Sequence, residues 1–167
     1  SGTGSTALVF SYTVQAGDTD ADGIAVGTLS ANGGTLKDSA GNDLTLTLNS
    51  VGNTASVLVD TTAPTISSVS LSADNSSLTV TFSESVYSTN GGSGDLAAAD
   101  FALSISGGTA TVTSTPSSIT KTSQSVWVLG VSLSGTPDGN ETLSVVPAST
   151  TSIYDVAGNA ASTTQST

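Results

Sequence analysis

The chain contains no cysteine, no histidine and no methionine. Without cysteine there are no disulfides and no thiolate nucleophile, and without histidine the commonest general base and the imidazole metal ligands are also missing. A serine hydrolase would lack a base for its serine, and no Gly-x-Ser-x-Gly segment is present. Glu84 and Glu141 could serve a glycosidase, but nothing in the sequence places them together. We therefore expect no enzymatic activity.

Positive charge is almost absent as well. Lys37 and Lys121 are the 2 basic residues against 13 acidic ones, and the formal net charge is -11. Nucleic acid is excluded as a partner because binding phosphates requires clustered Lys and Arg. An acidic surface repels anionic lipid headgroups and attracts divalent cations, so we expect no direct membrane contact and predict calcium as the cofactor.

Long hydrophobic runs are also missing. No stretch of 18 apolar residues occurs, and the segment Ser1-Gly2-Thr3-Gly4 does not resemble a signal peptide. Any export or anchoring signal is therefore expected outside this segment.

The two lysines are expected at solvated surface positions, as lysine usually is. Isopeptide crosslinks from these lysines are the alternative.

Apolar residues alternate with Ser and Thr along most of the chain, which is typical of strands with one solvated face. Aromatic residues make up only 4% of the sequence, so the core must be mainly aliphatic. Residues 95–101 alone could form a helical turn. The predicted strands cover residues 7–14, 24–29, 44–48, 56–59, 66–71, 78–82, 101–105, 109–113, 126–133 and 142–146.

A short segment occurs twice, and this repeat sets the domain organisation. Residues 38–42 read Asp-Ser-Ala-Gly-Asn, and residues 155–159 read Asp-Val-Ala-Gly-Asn. Between them Ala63-Pro64 predicts an extended joint, because proline fixes φ and cannot donate to a sheet. We therefore predict two domains: residues 1–61 are the later part of one module, and residues 62–167 are a second module that lacks its last strand or has it cut short.

These segments resemble the bacterial immunoglobulin-like, or cadherin-like, tandem repeats of large surface adhesins. The resemblance covers nearly the whole chain and rests on the joint Asp-Thr-Thr-Ala-Pro-Thr at 60–65, on residues 82–86, on Asp100-Phe101 and on the two Asp-x-Ala-Gly-Asn segments. It implies an all-β fold of tandem immunoglobulin-like β-sandwiches, the first one incomplete. It also implies a secreted protein of the bacterial cell surface, with repeats often rigidified by calcium.

Residues 17–23 read Gly-Asp-Thr-Asp-Ala-Asp-Gly, and this run predicts a calcium site at Asp18, Asp20 and Asp22. Alternate carboxylates in a tight turn can converge on a hard cation. An EF-hand loop that starts at Asp18 needs a glutamate in its twelfth position, which is Leu29 here, so the site would be at most a half-site in a hairpin. A solvated acidic turn is the alternative.

Calcium at the domain joint is the second metal hypothesis. It would use Asp60 with Asp38 or Asp155, although an Asp that starts a turn can equally well accept backbone N–H groups. Glu84 and Asp100 are weaker candidates for the same kind of site.

The sequence thus favours a non-catalytic extender repeat of an adhesin or surface filament, whose partners are neighbouring repeats or neighbouring copies. One alternative is a self-assembling filament or sheath subunit completed by strand exchange, since both ends are expected to be completed from outside the segment. Another is a carbohydrate- or ice-binding module, in which Trp127 would stack on a sugar instead of filling the core. For the core we predict Val80, Phe82, Phe101, Trp127 and Leu133.

Overall fold

The computed structural model describes residue 4 and residues 6–165, and it divides the chain into two compact units, Ser1–Asp60 and Thr61–Thr167. The described residues form antiparallel β-structure with one short 3-10 helix and no α-helix, which confirms the all-β prediction. No helix in this part of the chain is long and apolar enough to cross a membrane. The predicted boundary, after residue 61, lies one residue from the division between the units.

The described residues of the second unit form eight strands, all paired in the antiparallel sense. A four-stranded sheet has the order β1-β2-β6-β5, and two further pairs are β3-β8 and β4-β7. The strands are β1 (Ile66–Leu71), β2 (Ser77–Phe82), β3 (Phe101–Ser106), β4 (Thr111–Val112), β5 (Ile119–Lys121), β6 (Val126–Gly130), β7 (Leu133–Ser134) and β8 (Thr142–Pro147).

One hydrophobic core is shared by the four-stranded sheet and the β3-β8 pair. Alternate side chains along a strand point to opposite faces, and the buried ones come from β2, β6, β3 and β8. The Phe82 and Phe101 rings, from different sheets, have centroids 6.2 Å apart. The predicted core is confirmed: Val80, Phe82, Phe101 and Trp127 are buried, and Leu133 is half-buried and packs against them.

Three details of the second unit differ from the strand predictions, and the first is that predicted strand 109–113 is shortened to β4, Thr111–Val112. The predicted strand 126–133 is divided into β6 and β7, because Val131 N–H turns to the carbonyl of Ser76 and Ser132 C=O accepts from Thr113. Strand β5 was not predicted, since Ile119 is its one large apolar residue and a single residue gives no alternation. The segment therefore pairs with three strands: β6 pairs with β2 and β5, and β7 pairs with β4.

The predicted helical turn is present as the 3-10 helix Ala98–Asp100. The Asp100 carboxylate accepts the N–H of Ala97 at 2.7 Å and so satisfies a donor that the short helix cannot. The Asp95 carboxylate, at the start of the predicted turn, pairs with the Lys121 ammonium at 2.5 Å.

The first unit forms less regular structure than its sequence predicts. In residues 6–60 the predicted strands 7–14, 24–29, 44–48 and 56–59 form no ladder beyond the isolated bridges Asp20–Val59 and Lys37–Asp43. A strand requires a neighbouring strand, and the described residues of this unit supply too few. Its large apolar side chains are therefore exposed: Leu8, Val9, Phe10, Tyr12, Val14, Ile24, Val26, Leu44, Leu48, Val51, Val57 and Leu58.

Candidate functional site

The first copy of the repeated segment folds as a turn closed by its own aspartate. Asp38 Oδ1 accepts the N–H groups of Ala40 and Asn42, each at 2.9 Å, and Oδ2 accepts the Asn42 side-chain amide at 2.8 Å. The hydrogen bonds from Asn42 are the largest influence that lowers the pKa of this carboxyl group. Gly41 has φ +89°, a conformation that favours glycine. Asp38 itself is exposed.

The second copy has the same geometry. Asp155 Oδ1 accepts the N–H groups of Gly158 at 2.6 Å and Asn159 at 2.8 Å, and Oδ2 accepts the Asn159 side-chain amide at 2.7 Å. Gly158 has φ +96°. In each copy the aspartate N–H also donates to the asparagine carbonyl. The segment is therefore a carboxylate-closed turn in both places, which is the structural alternative to metal binding.

Burial distinguishes the two copies. Asp155 is 0% exposed, whereas Asp38 lies at the surface. Backbone hydrogen bonds of 2.7 and 2.9 Å between Tyr87 and Tyr154 fix the strand segment that leads into the Asp155 turn. Those bonds bring the segment after β2, which contains Glu84, close to the turn.

Asp155 and the half-buried Glu84 form a carboxylate pair. Each offers an oxygen that lies within 4.8 Å of the other. Two like charges this close favour a cation between them. Oδ2 of Asp155 accepts a hydrogen bond from the Asn159 side-chain amide and has a second lone pair for a cation. Calcium takes six to eight oxygens, so further ligands would be required. The pair thus fits part of a calcium shell.

Asp60, the third residue of the joint hypothesis, is the last residue of the first unit and directly precedes Thr61. Its part in a calcium site stays a prediction from chain order. Glu84 was only a weak candidate in the sequence. Its position just after a core strand is the signal that could have identified it. Asp100, the other weak candidate, is used by the 3-10 helix.

The acidic run at 17–23 forms a hydrogen-bonded turn. Asp18 Oδ2 accepts the Gln15 N–H at 2.7 Å and the Tyr12 hydroxyl at 2.8 Å, and these two bonds lower the pKa of Asp18. Asp20 Oδ1 accepts the N–H groups of Gly23 at 2.6 Å and Asp22 at 3.3 Å.

These three carboxylates do not gather around a common point: in the described residues they form no group of oxygens within metal-binding distance of one another. The geometry at Asp18, Asp20 and Asp22 thus favours the acidic-turn alternative. Calcium binding there stays a prediction, and it would require these side chains to exchange their present partners for the ion.

No family model, curated protein or solved structure matches the chain. Function therefore has to be inferred from the residues and the geometry of the chain itself.

One carboxylate that sequence reasoning did not single out as a ligand binds four backbone amides. Glu141 accepts the N–H groups of Thr109, Ala110, Asp138 and Gly139 at 3.0 to 3.1 Å. Desolvation acts to raise the pKa of Glu141, but these hydrogen bonds outweigh it and lower the pKa to about 2. A β-carbon at residue 108 would overlap this side chain, which explains the glycine there. Through these hydrogen bonds Glu141 connects two loops.

Trp127 is not available to stack on a sugar. It is 1% exposed and packs in the core, and its indole Nε1–H donates to the carbonyl of Gln124 at 3.2 Å. The core alternative for this residue is confirmed, so a sugar platform built on Trp127 is ruled out. The two lysines form exposed ion pairs, Lys37 with Asp43 and Lys121 with Asp95, each at 2.5 Å.

Proposed function

We propose that the chain is a non-catalytic extender segment of an extracellular bacterial adhesin or surface filament, built from immunoglobulin-like sandwiches. The observation that carries the proposal is the strand order of the second unit. If β1, β2, β3, β5, β6 and β8 are lettered A to F, the large sheet reads A-B-E-D and the second sheet pairs C with F. Those are the neighbours of the immunoglobulin fold, in which a seventh strand follows F.

The repeated turn supports the tandem part of the proposal. Residues 38–42 and 155–159 have the same aspartate-closed geometry, one in each unit. Modules that repeat along a chain create length and spacing, and each contacts chiefly its neighbours. A net charge of -11 favours a self-repelling extracellular segment whose charge cations can neutralise. Secretion to the cell surface is part of this proposal.

Calcium is proposed as the ion that rigidifies the segment. Glu84 and Asp155 are the pair best placed to bind it, with Asp60 as the predicted contribution of the joint and Asp18, Asp20 and Asp22 as the separate loop hypothesis. Asp155 is buried and Glu84 is half-buried, and charges shielded from water interact more strongly with a bound cation than exposed ones do.

Thermal unfolding with calcium and with a chelator tests this. A ligand that binds only the folded state, present at about 100 times its Kd, raises the free energy of unfolding by about 2.7 kcal/mol. We expect the calcium gain to fall in Glu84→Gln if the pair binds the ion, and in Asp20→Ala if the acidic loop does. Asp43→Asn, an exposed carboxylate outside both candidates, is the control and should keep the full gain. Coincident wild-type melting curves would remove calcium from the proposal.

A self-assembling filament subunit is the second candidate, and the exposed apolar side chains of the first unit favour it. Phe10 and Tyr12 are 74% and 75% exposed and lie two residues apart in a segment whose alternation is typical of a strand. Such a segment can pair with a sheet edge of a neighbouring copy.

Sedimentation and electron microscopy of the purified chain separate the two candidates. The spacer proposal expects monomers with calcium and with chelator, because repeats of one chain are joined covalently. Ordered filaments that grow with protein concentration would instead establish strand exchange between copies. A Phe10→Ser, Tyr12→Ser double variant should abolish such filaments and leave the sedimentation of a monomeric spacer unchanged.

A further inference from the structure

The chain has four places where Asn or Asp precedes Gly: Asp22-Gly23, Asn32-Gly33, Asn90-Gly91 and Asp138-Gly139. At such pairs the backbone nitrogen of the glycine can attack the side-chain carbonyl carbon and close a five-membered succinimide. Glycine permits this because it has no β-carbon to hinder the approach and few backbone restrictions. Whether the reaction occurs in the folded protein depends on whether that N–H already donates a hydrogen bond.

In both Asp-Gly pairs the glycine N–H donates a hydrogen bond. The N–H of Gly23 donates to Asp20 Oδ1 at 2.6 Å, and the N–H of Gly139 donates to Glu141 Oε2 at 3.0 Å. A charge-assisted hydrogen bond holds the nitrogen away from its own side chain and opposes loss of its proton. The fold therefore protects these two pairs.

Both Asn-Gly pairs lack such protection. Within the described residues, the N–H groups of Gly33 and Gly91 make no hydrogen bond, and neither do the side-chain amides of Asn32 and Asn90. Asn32 and Asn90 are exposed, and each stands at a turn. Gly33 and Gly91 have φ of +82° and +95°, so an L-residue would be strained in either place.

We propose that Asn32 and Asn90 are sites of spontaneous deamidation in the folded protein. The glycine nitrogen loses its proton to solvent and forms a bond to the asparagine Cγ, and the Cγ–Nδ2 bond breaks with release of ammonia. Water then opens the succinimide at either carbonyl and leaves aspartate or isoaspartate. No oxidant, reductant or enzyme takes part.

The change at Asn90 affects the carboxylate site. The Asn90 side chain lies against Gly158, so closely that a β-carbon on Gly158 would overlap its oxygen. Gly158 also donates to Asp155 in the turn that carries the Glu84–Asp155 pair. Deamidation therefore adds a negative charge beside an acidic turn, whereas at Asn32 it adds one at an open turn of the first unit.

Peptide mapping by mass spectrometry tests the proposal on the intact chain. The protein is aged in mildly alkaline buffer, and each of the four pairs is followed for aspartate and isoaspartate, beside a sample aged in denaturant. We expect Asn32 and Asn90 to convert in the folded protein and the two Asp-Gly pairs to stay unchanged. In denaturant the protection should disappear, and isoaspartate should form at all four pairs.

Asn32→Gln and Asn90→Gln serve as matched variants, since glutamine must close a six-membered ring and reacts far more slowly. Each variant should lose the acidic form at its own site and retain it at the other. If Asn32 and Asn90 stay intact in the folded protein while they convert in denaturant, the fold protects them and the proposal is wrong. Equal isoaspartate formation at the Asp-Gly pairs in the folded protein would also overturn it.

Discussion

Trp127→Ala should destabilise the second unit by about 3–5 kcal/mol, the range for removing a large aromatic side chain from a packed core. Trp127 is 1% exposed and lies in β6, between β2 and β5. Small domains are stable by only about 5–15 kcal/mol, so the variant should lose a large part of its stability. Far-UV circular dichroism during chemical denaturation measures the change.

Two further variants show whether the effect comes from core packing. Val156→Ala also shortens an apolar side chain, but Val156 is 61% exposed, so its effect should stay within about 0.5 kcal/mol. Trp127→Phe keeps an aromatic ring and should be less harmful than Trp127→Ala. A Trp127→Ala protein with unchanged stability would mean that the residue is not a core residue, and a sugar platform would have to be considered again.

The core of the second unit could be predicted from the sequence because alternation is a local signal. Val80 and Phe82 stand two residues apart, as do Trp127 and Leu129, so each pair has to share a face of its strand, and all four are buried. Strand β5 could not be predicted, because its place in the sheet depends on β6 and not on any pattern of its own.

The first unit shows the limit of the same signal. Residues 10–14 alternate apolar with Ser and Thr as strands of the second unit do, yet residues 7–14 form no ladder in the structure. Alternation describes which face a side chain would take if a sheet were present. It does not supply the neighbouring strand whose N–H and C=O groups the sheet requires.

The candidate site was predicted only in part. The two Asp-x-Ala-Gly-Asn segments could be recognised as turns, and the structure gives them the same hydrogen bonds. Their different burial could not be foreseen, because it depends on Glu84 and Tyr87, which are distant in sequence from Asp155 and close to it only after folding. The hydrogen bonds of Glu141 could not be predicted for the same reason, because the four amides around it come from two separate loops.

Asp155→Ala should be the second strongly destabilising change, and Asp38→Ala its matched control in the other copy of the turn. Removal of the buried Asp155 carboxylate leaves the N–H groups of Gly158 and Asn159 without their acceptor. An orphaned buried donor costs about 1–3 kcal/mol, and these two are partly buried, so we expect a loss near the lower end, about 2–3 kcal/mol. At Asp38 water can replace the carboxylate. Fluorescence of Trp127, the one tryptophan, reports Asp155→Ala in the second unit, and Asp38→Ala in the first unit is followed by calorimetry, which records both units.

Repulsion between Glu84 and Asp155 acts in the opposite direction. The two side chains have oxygens within 4.8 Å of each other, and like charges this close repel. Asp155→Asn keeps one oxygen for the N–H groups of Gly158 and Asn159, but it loses the charge and the hydrogen bond that Oδ2 accepts from the Asn159 side chain. Without calcium, Asp155→Asn should therefore be more stable than Asp155→Ala. With calcium the wild type should gain stability and Asp155→Asn should not, because only the wild type keeps both charges for the ion. If Asp155→Ala is more stable than the wild type in chelator, the repulsion between the two carboxylates costs more than their hydrogen bonds contribute. The Asp155 carboxylate would then serve a bound cation and not the turn.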